Sequence, residues 1–439
     1  MEKSSPIATP SRLFFENKND SRMRLTGDVL ADDFEEQMDK FYERGSPDRP
    51  LLIDLTETSY IEVAALVNCI ALLVERTDSR LRTFIAIPSD RRVRDFLKVW
   101  RFARAVKDAT GLSLVEFVVG EDRRYLSEPQ ESYTGQGDGI QKLEYDPDWE
   151  PKRDTPRNFF EFVTFAEEPG KKITPEGRFA SAPRQEGRRW TRPLIQEVLE
   201  KHLPGRGTKD EVARVIIYEA MSNAVRHPQA RVVQAVSRFE RQGNGTEGHR
   251  GSLRICVWDD GDSIVKTLMQ ALEEGRSIQA FNLPPFMCDR VHVTIRDFDC
   301  KHKDQRIVDQ SDKITKESAT EKDILLASLF PGVTRTVAQS VPQVEPFENQ
   351  PSEQDLASQL MDFMNSAPGM GLYALTRTVI DQFTGTLFIR SGRYRLIIEA
   401  AHDAWRVQYS VRYKCKITVY RKYMPPFRGN LLAIQLPLR

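Results

Sequence analysis

The sequence is poor in cysteine: five among 439 residues, at positions 69, 256, 288, 300 and 415, odd in number, widely spaced and without a C-x-x-C pair. That pattern excludes a disulfide framework and a zinc ribbon, and it points to a reducing, cytoplasmic setting. Net charge is missing too. The 64 Lys and Arg balance 64 Asp and Glu, so the whole chain lacks the electropositive field that non-specific nucleic-acid or anionic-membrane binding relies on. There is no long hydrophobic run: the most apolar stretch, Tyr60 to Val74, carries Glu62 and Asn68 and falls short of the ~20 residues of a membrane span. Nor does Met1 to Arg12 hold the apolar run of a signal peptide. The expectation is a soluble protein that does not act at a membrane.

At roughly 100 to 200 residues per domain, the length allows two or three domains. Residues 13–118 read as alternating β and α. Leu51 to Leu55 and Thr83 to Ile87 are short apolar runs suited to buried parallel strands, while Val63 to Arg76 and Arg91 to Ala105 have helical spacing. Residues 119–190 turn polar, with scattered Pro and Gly. Their end, with Arg192 just beyond it, is basic, with Lys171, Lys172, Arg178, Arg184, Arg188, Arg189 and Arg192 against Glu176 and Glu186, which describes either a solvated linker or a contact for an acidic partner. Within this linker the aromatic segment Phe159 to Phe165 predicts a packed strand. From residue 191 two helices (Pro193 to His202, Lys209 to His227) are expected, then strands at Val232 to Phe239 and Leu253 to Trp258. After a long insert, 265–368, come a helix at Leu372 to Phe383 and four closing strands. Such an order predicts an α/β sandwich with a mostly antiparallel sheet covered on one face.

Three short constellations in this second region carry chemistry. In the helix ending at His227, Glu219, Asn223 and His227 recur at i, i+4, i+8 and drift by only about 80°, so they share a stripe with the apolar face. A carboxylate there is either a partly exposed helix edge with a capping His, or a buried group whose pKa is raised toward that of a general base. The acidic turn Asp259-Asp260-Gly261-Asp262-Ser263 directly follows a strand; it is an ordinary turn, or an acceptor for an adenine amino group beside a glycine that admits a planar ring. Gly369-Met370-Gly371-Leu372 precedes a helix, where freed backbone N–H groups suit phosphate.

The ordered set E-x-x-x-N-A-x-x-H, D-x-G, then G-x-G-L resembles the GHKL family of ATP-binding domains over residues 191–439. Tyr218 to His227 is similar to the N box of its anti-sigma and sensor-kinase members, Asp259 to Ser263 to the G1 box and Gly369 to Leu372 to the G2 box; Ser391-Gly392 and Gly429-Asn430 also fit. The resemblance implies a Bergerat-type α/β sandwich with a mixed sheet, binding ATP and Mg²⁺. By it, Asn223 holds the Mg²⁺ and Glu219 is the general base. Asp259 and Gly261 take adenine, and Gly369, Gly371 and the Leu372 amide cradle phosphates, with Arg226 and His227 as further nucleotide contacts. Ser263 and Tyr373 stand where the family often has Gly, and no His has the surroundings of a phosphate-accepting dimerisation helix. Residues 13–118 are similar to STAS domains through Leu51 to Leu66, although Glu62-Val63-Ala64-Ala65 replaces their phosphorylatable Ser. The two resemblances together imply a regulator that hydrolyses ATP or transfers its γ-phosphate and uses ATP occupancy, reported through the long lid insert, to switch a protein partner, either as a single chain or as a homo-oligomer. A Ser/Thr kinase of anti-sigma type, a non-catalytic ATP-binding scaffold and a nucleic-acid effector acting through the linker and Arg406 to Arg428 are the alternatives.

Overall fold

The computed structural model describes residues 22–44, 47–111, 114–119, 124–126, 159–166, 216, 219–221, 223–224, 229–241, 251–274, 291–297, 303–308, 320–329, 371–400, 415–421 and 427–438. Two sheets organise them. The first takes its five strands in chain order: β1 (Arg22–Val29), β2 (Leu51–Ile61), β3 (Thr83–Ala86), β4 (Val115–Val119) and β5 (Arg124–Leu126). The first four run parallel and β5 returns antiparallel to β4. Between them come α1 (Ala31–Arg44), α2 (Val63–Asp78), and the pair α3 (Arg91–Val99) and α4 (Phe102–Thr110). With strands in chain order, right-handed crossovers put all these helices on one face.

Two local features differ from the spacing-based expectation. The helix read over Arg91 to Ala105 is broken at Arg101, which adopts a left-handed φ of 53°. The break lets Trp100 and Phe102, 1% and 2% exposed, both enter the core. Strand β2 does not stop near Asp54 but continues to Ile61, because β1 pairs with it up to Val29↔Ile61.

The second sheet has nine strands in the order β10-β9-β13-β12-β11-β14-β8-β7-β6. Its centre is β7 (Val232–Arg241), β8 (Gly251–Asp259), β14 (Phe427–Leu438), β11 (Thr386–Gly392) and β12 (Tyr394–Ala400), all antiparallel to their neighbours. The segment expected to be a packed strand forms β6 (Phe159–Ala166), the edge beside β7. At the other edge, β13 (Cys415–Arg421) pairs in parallel with β9 (Val291–Asp297), and β9 forms a hairpin with β10 (Lys303–Val308). Part of the insert therefore lengthens the sheet. Two further pieces of it, α5 (Ile264–Glu273) and α6 (Glu321–Ala327), pack together through Leu268, Leu272, Ile324 and Ala327. The helix α7 (Gly371–Arg377) runs on into a π-helical turn, Thr378–Gln382, which rests on β11, β12 and β14. The chain is thus a mixed α/β protein with one mainly parallel and one mainly antiparallel sheet.

Both faces of the nine-stranded sheet are covered, not one. The reason is α2. Every residue from Val63 to Val74 is buried, the pattern of a helix enclosed on all sides. It packs on β7, β8 and β14 as well as on α1 and α4, and one continuous core joins Ile53, Leu66 and Ile70 to Val236, Cys256, Trp258 and Leu431. Strand alternation sorts the side chains. Trp258, Leu431 and Arg390 are cross-strand neighbours facing the helices of the first unit, whereas Asp259, Asn430 and Ser391, one residue along each strand, face the other way.

Charges set the register of this contact. Arg390 and Arg395 are nearly inaccessible and both reach Glu35 of α1, at 2.6 and 3.0 Å. Their guanidinium groups lie over the rings of Phe427 and Phe388, and Asn68 Nδ2 donates to the same carboxylate at 3.3 Å. Glu62, the residue capping α2, accepts from Ala31 N–H at 3.0 Å and pairs with Arg254 of β8 at 3.0 Å. Among the described residues, no helix is long and apolar enough to cross a membrane.

Candidate functional site

One cluster of candidate residues is built where β8 stops. Asp259 is its last residue and lies on the face away from α2, 3% exposed. Its Oδ1 accepts from Gly261 N–H at 3.0 Å, and Asn430 Nδ2 approaches both carboxylate oxygens at 3.4 and 3.3 Å. Asn430 sits directly opposite on β14, and its orientation is set by its other contacts. Its Oδ1 accepts from Ile264 N–H and from Ser391 Oγ–H, both at 2.8 Å, while Nδ2 also donates to Asp262 O at 3.2 Å. With the oxygen saturated, only the NH₂ is left to face Asp259. Burial pushes the Asp259 carboxyl well above the ordinary value, against the pull of the Asn430 and Gly261 donors. An acceptor held this way, buried yet supported by fixed donors, suits a ligand amino group.

The neighbouring residue points to the opposite side. Asp260 Oδ1 accepts from the backbone N–H of Arg231 at 2.6 Å and of Val232 at 2.7 Å, and Oδ2 meets the guanidinium groups of Arg231 and Arg428 at 3.1 and 3.3 Å. Gly429 takes a left-handed φ of 74°, and a Cβ there would overlap the Asp259 carbonyl oxygen and stand 2.6 Å from its carbon. The start of β14 therefore closes on the acidic turn more tightly than any side chain permits. Ser263 then caps α5, accepting from Lys266 N–H at 3.0 Å, a structural use for the residue standing where a family Gly was expected.

A second cluster forms where the helical residues around 219–224 meet α7. Glu219 is 7% exposed and Asn223 half-buried. A Cβ built on Gly371 would collide with Glu219 Oε1 and lie 2.9 Å from Asn223 Nδ2. Two motifs far apart in the sequence thus converge on one point of backbone, and only glycine leaves the carboxylate and the amide their room. Leu372 follows in α7, half-buried, its carbonyl accepting from Thr376 Oγ at 2.8 Å. Of the residues singled out from the sequence, Glu219, Asn223 and Gly371 are brought together, Asp259 and Gly261 form the acidic turn, and Arg226, His227 and Gly369 lie outside the described residues, as do the helix expected at Pro193 to His202 and the basic end of the linker. Asn430, Ser391 and Asp260 entered the motif reading only as members of a matching pattern, without a role of their own. A signal existed for Asn430: an Asn inside a strand, directly before an apolar run, is disfavoured there unless its amide has work.

Comparison of the chain with protein-family models, with curated proteins and with solved structures returns no match.

Proposed function

We propose that this chain is a Mg-ATP-binding regulatory protein, with a Bergerat-type nucleotide domain over residues 191–439 and an STAS-like domain over 13–118. The observation that carries the reading is the convergence of Glu219 and Asn223 on the Gly371 backbone, supported by the buried acceptor Asp259 in the turn after β8. In this reading Asp259 accepts from the adenine amino group and Gly261 admits the ring. Gly369, Gly371 and the Leu372 amide take the phosphates, with Arg226 and His227 beside them. Asn223 supplies a side-chain oxygen to Mg²⁺. A side-chain amide oxygen there would suit a hard cation that binds through oxygen. When bound, the cation neutralises phosphate charge. Glu219, a carboxylate withdrawn from solvent, accepts the proton of the attacking hydroxyl.

Water as acceptor makes the chain an ATP-timed switch for a cytoplasmic protein partner, and a partner's Ser or Thr makes it a protein kinase; both use the same residues. Incubation of the full chain with labelled Mg-ATP, with and without candidate protein partners, separates them by where the label goes. Wild type is expected to bind, Asn223→Ala to lose binding, Gly371→Ala to lose at least tenfold in affinity, and Glu219→Ala to bind without turnover. Equal affinity in wild type and Asn223→Ala sinks the assignment.

A further inference from the structure

The acidic turn is gripped from two directions, and the second grip comes from the first unit. Asp78, in the last turn of α2, forms ion pairs with both Arg231 and Arg428. Those same two guanidinium groups hold the buried Asp260 carboxylate, and Arg428 Nε also donates to the Asp260 carbonyl at 3.2 Å. Three consecutive residues of β14 then act on the turn. Arg428 ties it to Asp78, Gly429 lies against the Asp259 carbonyl, and Asn430 holds the Asp259 carboxylate. Displacing Arg428 therefore displaces the amide that aims Asp259, because two residues of one strand cannot move independently. Burial opposes ionisation of Asp78, but the hydrogen bonds and charges of Arg428 and Arg231 outweigh it and lower its pKa, so the bridge is charged at neutral pH.

We propose that Asp78, a residue of the first unit, is a positioning residue for base recognition in the second, acting through Arg428 and Arg231 on the turn that carries Asp259. This rests on the proposed nucleotide site. It makes the first unit part of the binding machinery: its docking through α2 sharpens recognition of the base while leaving the phosphate end, built from Glu219, Asn223 and Gly371, untouched.

The test compares affinity of the full chain for Mg-ATP with that for Mg-tripolyphosphate, which has phosphates and no base, at a temperature well below the melting point of each variant. Asp78→Asn is expected to weaken Mg-ATP about fivefold, the low end of ordinary coupling between sites, with tripolyphosphate affinity unchanged and Asp78→Glu recovering most of the loss. Raising the salt concentration should shrink the difference between wild type and Asp78→Asn, since the bridging side chains are partly exposed. Unchanged Mg-ATP affinity in Asp78→Asn overturns the inference, and an equal loss for both ligands overturns it in favour of general loosening. If wild type binds neither ligand, the proposed function fails and this inference with it, whereas normal wild-type binding with an indifferent Asp78 removes this inference alone.

Discussion

Replacing Gly429 by alanine asks whether the closure of β14 on the acidic turn matters as much as its geometry implies. The residue has a φ of 74°, and a Cβ would overlap the Asp259 carbonyl oxygen and approach Asp260 Cα to 3.0 Å. The left-handed conformation alone costs about 1–2 kcal/mol for an L-residue. Overlap with backbone has no side-chain escape, so β14 must back away from β8. That loosens the contact of Asn430 with Asp259 and the Trp258 Nε1 donation to Arg428 O, each worth about 1 kcal/mol. Together the loss comes to about 3–4 kcal/mol, a large part of the ~5–15 kcal/mol by which ordinary domains are stable. Gly111 supplies the control. It has nearly the same φ, 70°, with nothing within 4 Å of its Cβ position, so Gly111→Ala should cost only the conformational part. Urea denaturation of both variants beside wild type measures the difference. A Gly429→Ala variant no less stable than Gly111→Ala would refute the reasoning, since the surplus comes from the contact with the Asp259 and Asp260 backbone.

Three further outcomes are expected. Glu35→Ala leaves Arg390 and Arg395 buried without their shared carboxylate and should destabilise by about 3–5 kcal/mol in urea melts, while Asp32→Ala, whose side chain is 65% exposed, should cost under about 1 kcal/mol. Stability should depend on pH with two opposite signs. Asp259 is raised above the ordinary value of 3.8 by burial, so between 3.8 and its folded pKa the native state holds more protons and stability grows as pH falls. Asp54 is lowered overall: its burial acts the other way, but hydrogen bonds from Thr56 and Arg22 prevail. With Asp78 it contributes above 3.8 and loses that contribution as pH falls through the depressed folded values. Melts of wild type and Asp259→Asn from pH 8 to pH 3 should show a wild-type gain on mild acidification that the variant lacks, then a fall in both. Cys69, its thiol pushed up to about 12 by burial, and Cys256, also raised by burial, should resist alkylation at pH 8 until denaturant is added, as peptide mapping would reveal.

Much of the strand and helix pattern was legible because it is local. The alternating first unit, the aromatic strand of the linker and the closing antiparallel strands follow from apolar runs of strand length and their punctuation. The all-round burial of α2 was not read, although the twelve consecutive residues from Val63 to Val74 have no polar face to offer water beyond Asn68. What they were buried against was not legible. The left-handed Arg101 break was missed because the residues on either side continue a helical spacing, and only the core decides that both Trp100 and Phe102 turn inward. At the candidate site, Glu219, Asn223, Asp259 and Gly371 were found as motif members. The support for Asp259 from Asn430, Ser391 and Ile264 was not, since its bonds join positions 39 to 171 residues apart.

The sequence by itself therefore determined which residue types are available: a carboxylate and an amide one helical turn apart, an acidic turn after a strand, glycines before a helix. These depend on spacing of a few residues, which backbone geometry converts directly into direction. Only the tertiary structure decided that Glu219 and Asn223 crowd the Gly371 backbone, that adjacent aspartates serve opposite faces of one sheet, and that Asp78 of one unit pairs with the two arginines holding the turn of the other. Such contacts are fixed by the register of paired strands and by the packing of one sheet against the helices of another, and no local spacing along the chain encodes either.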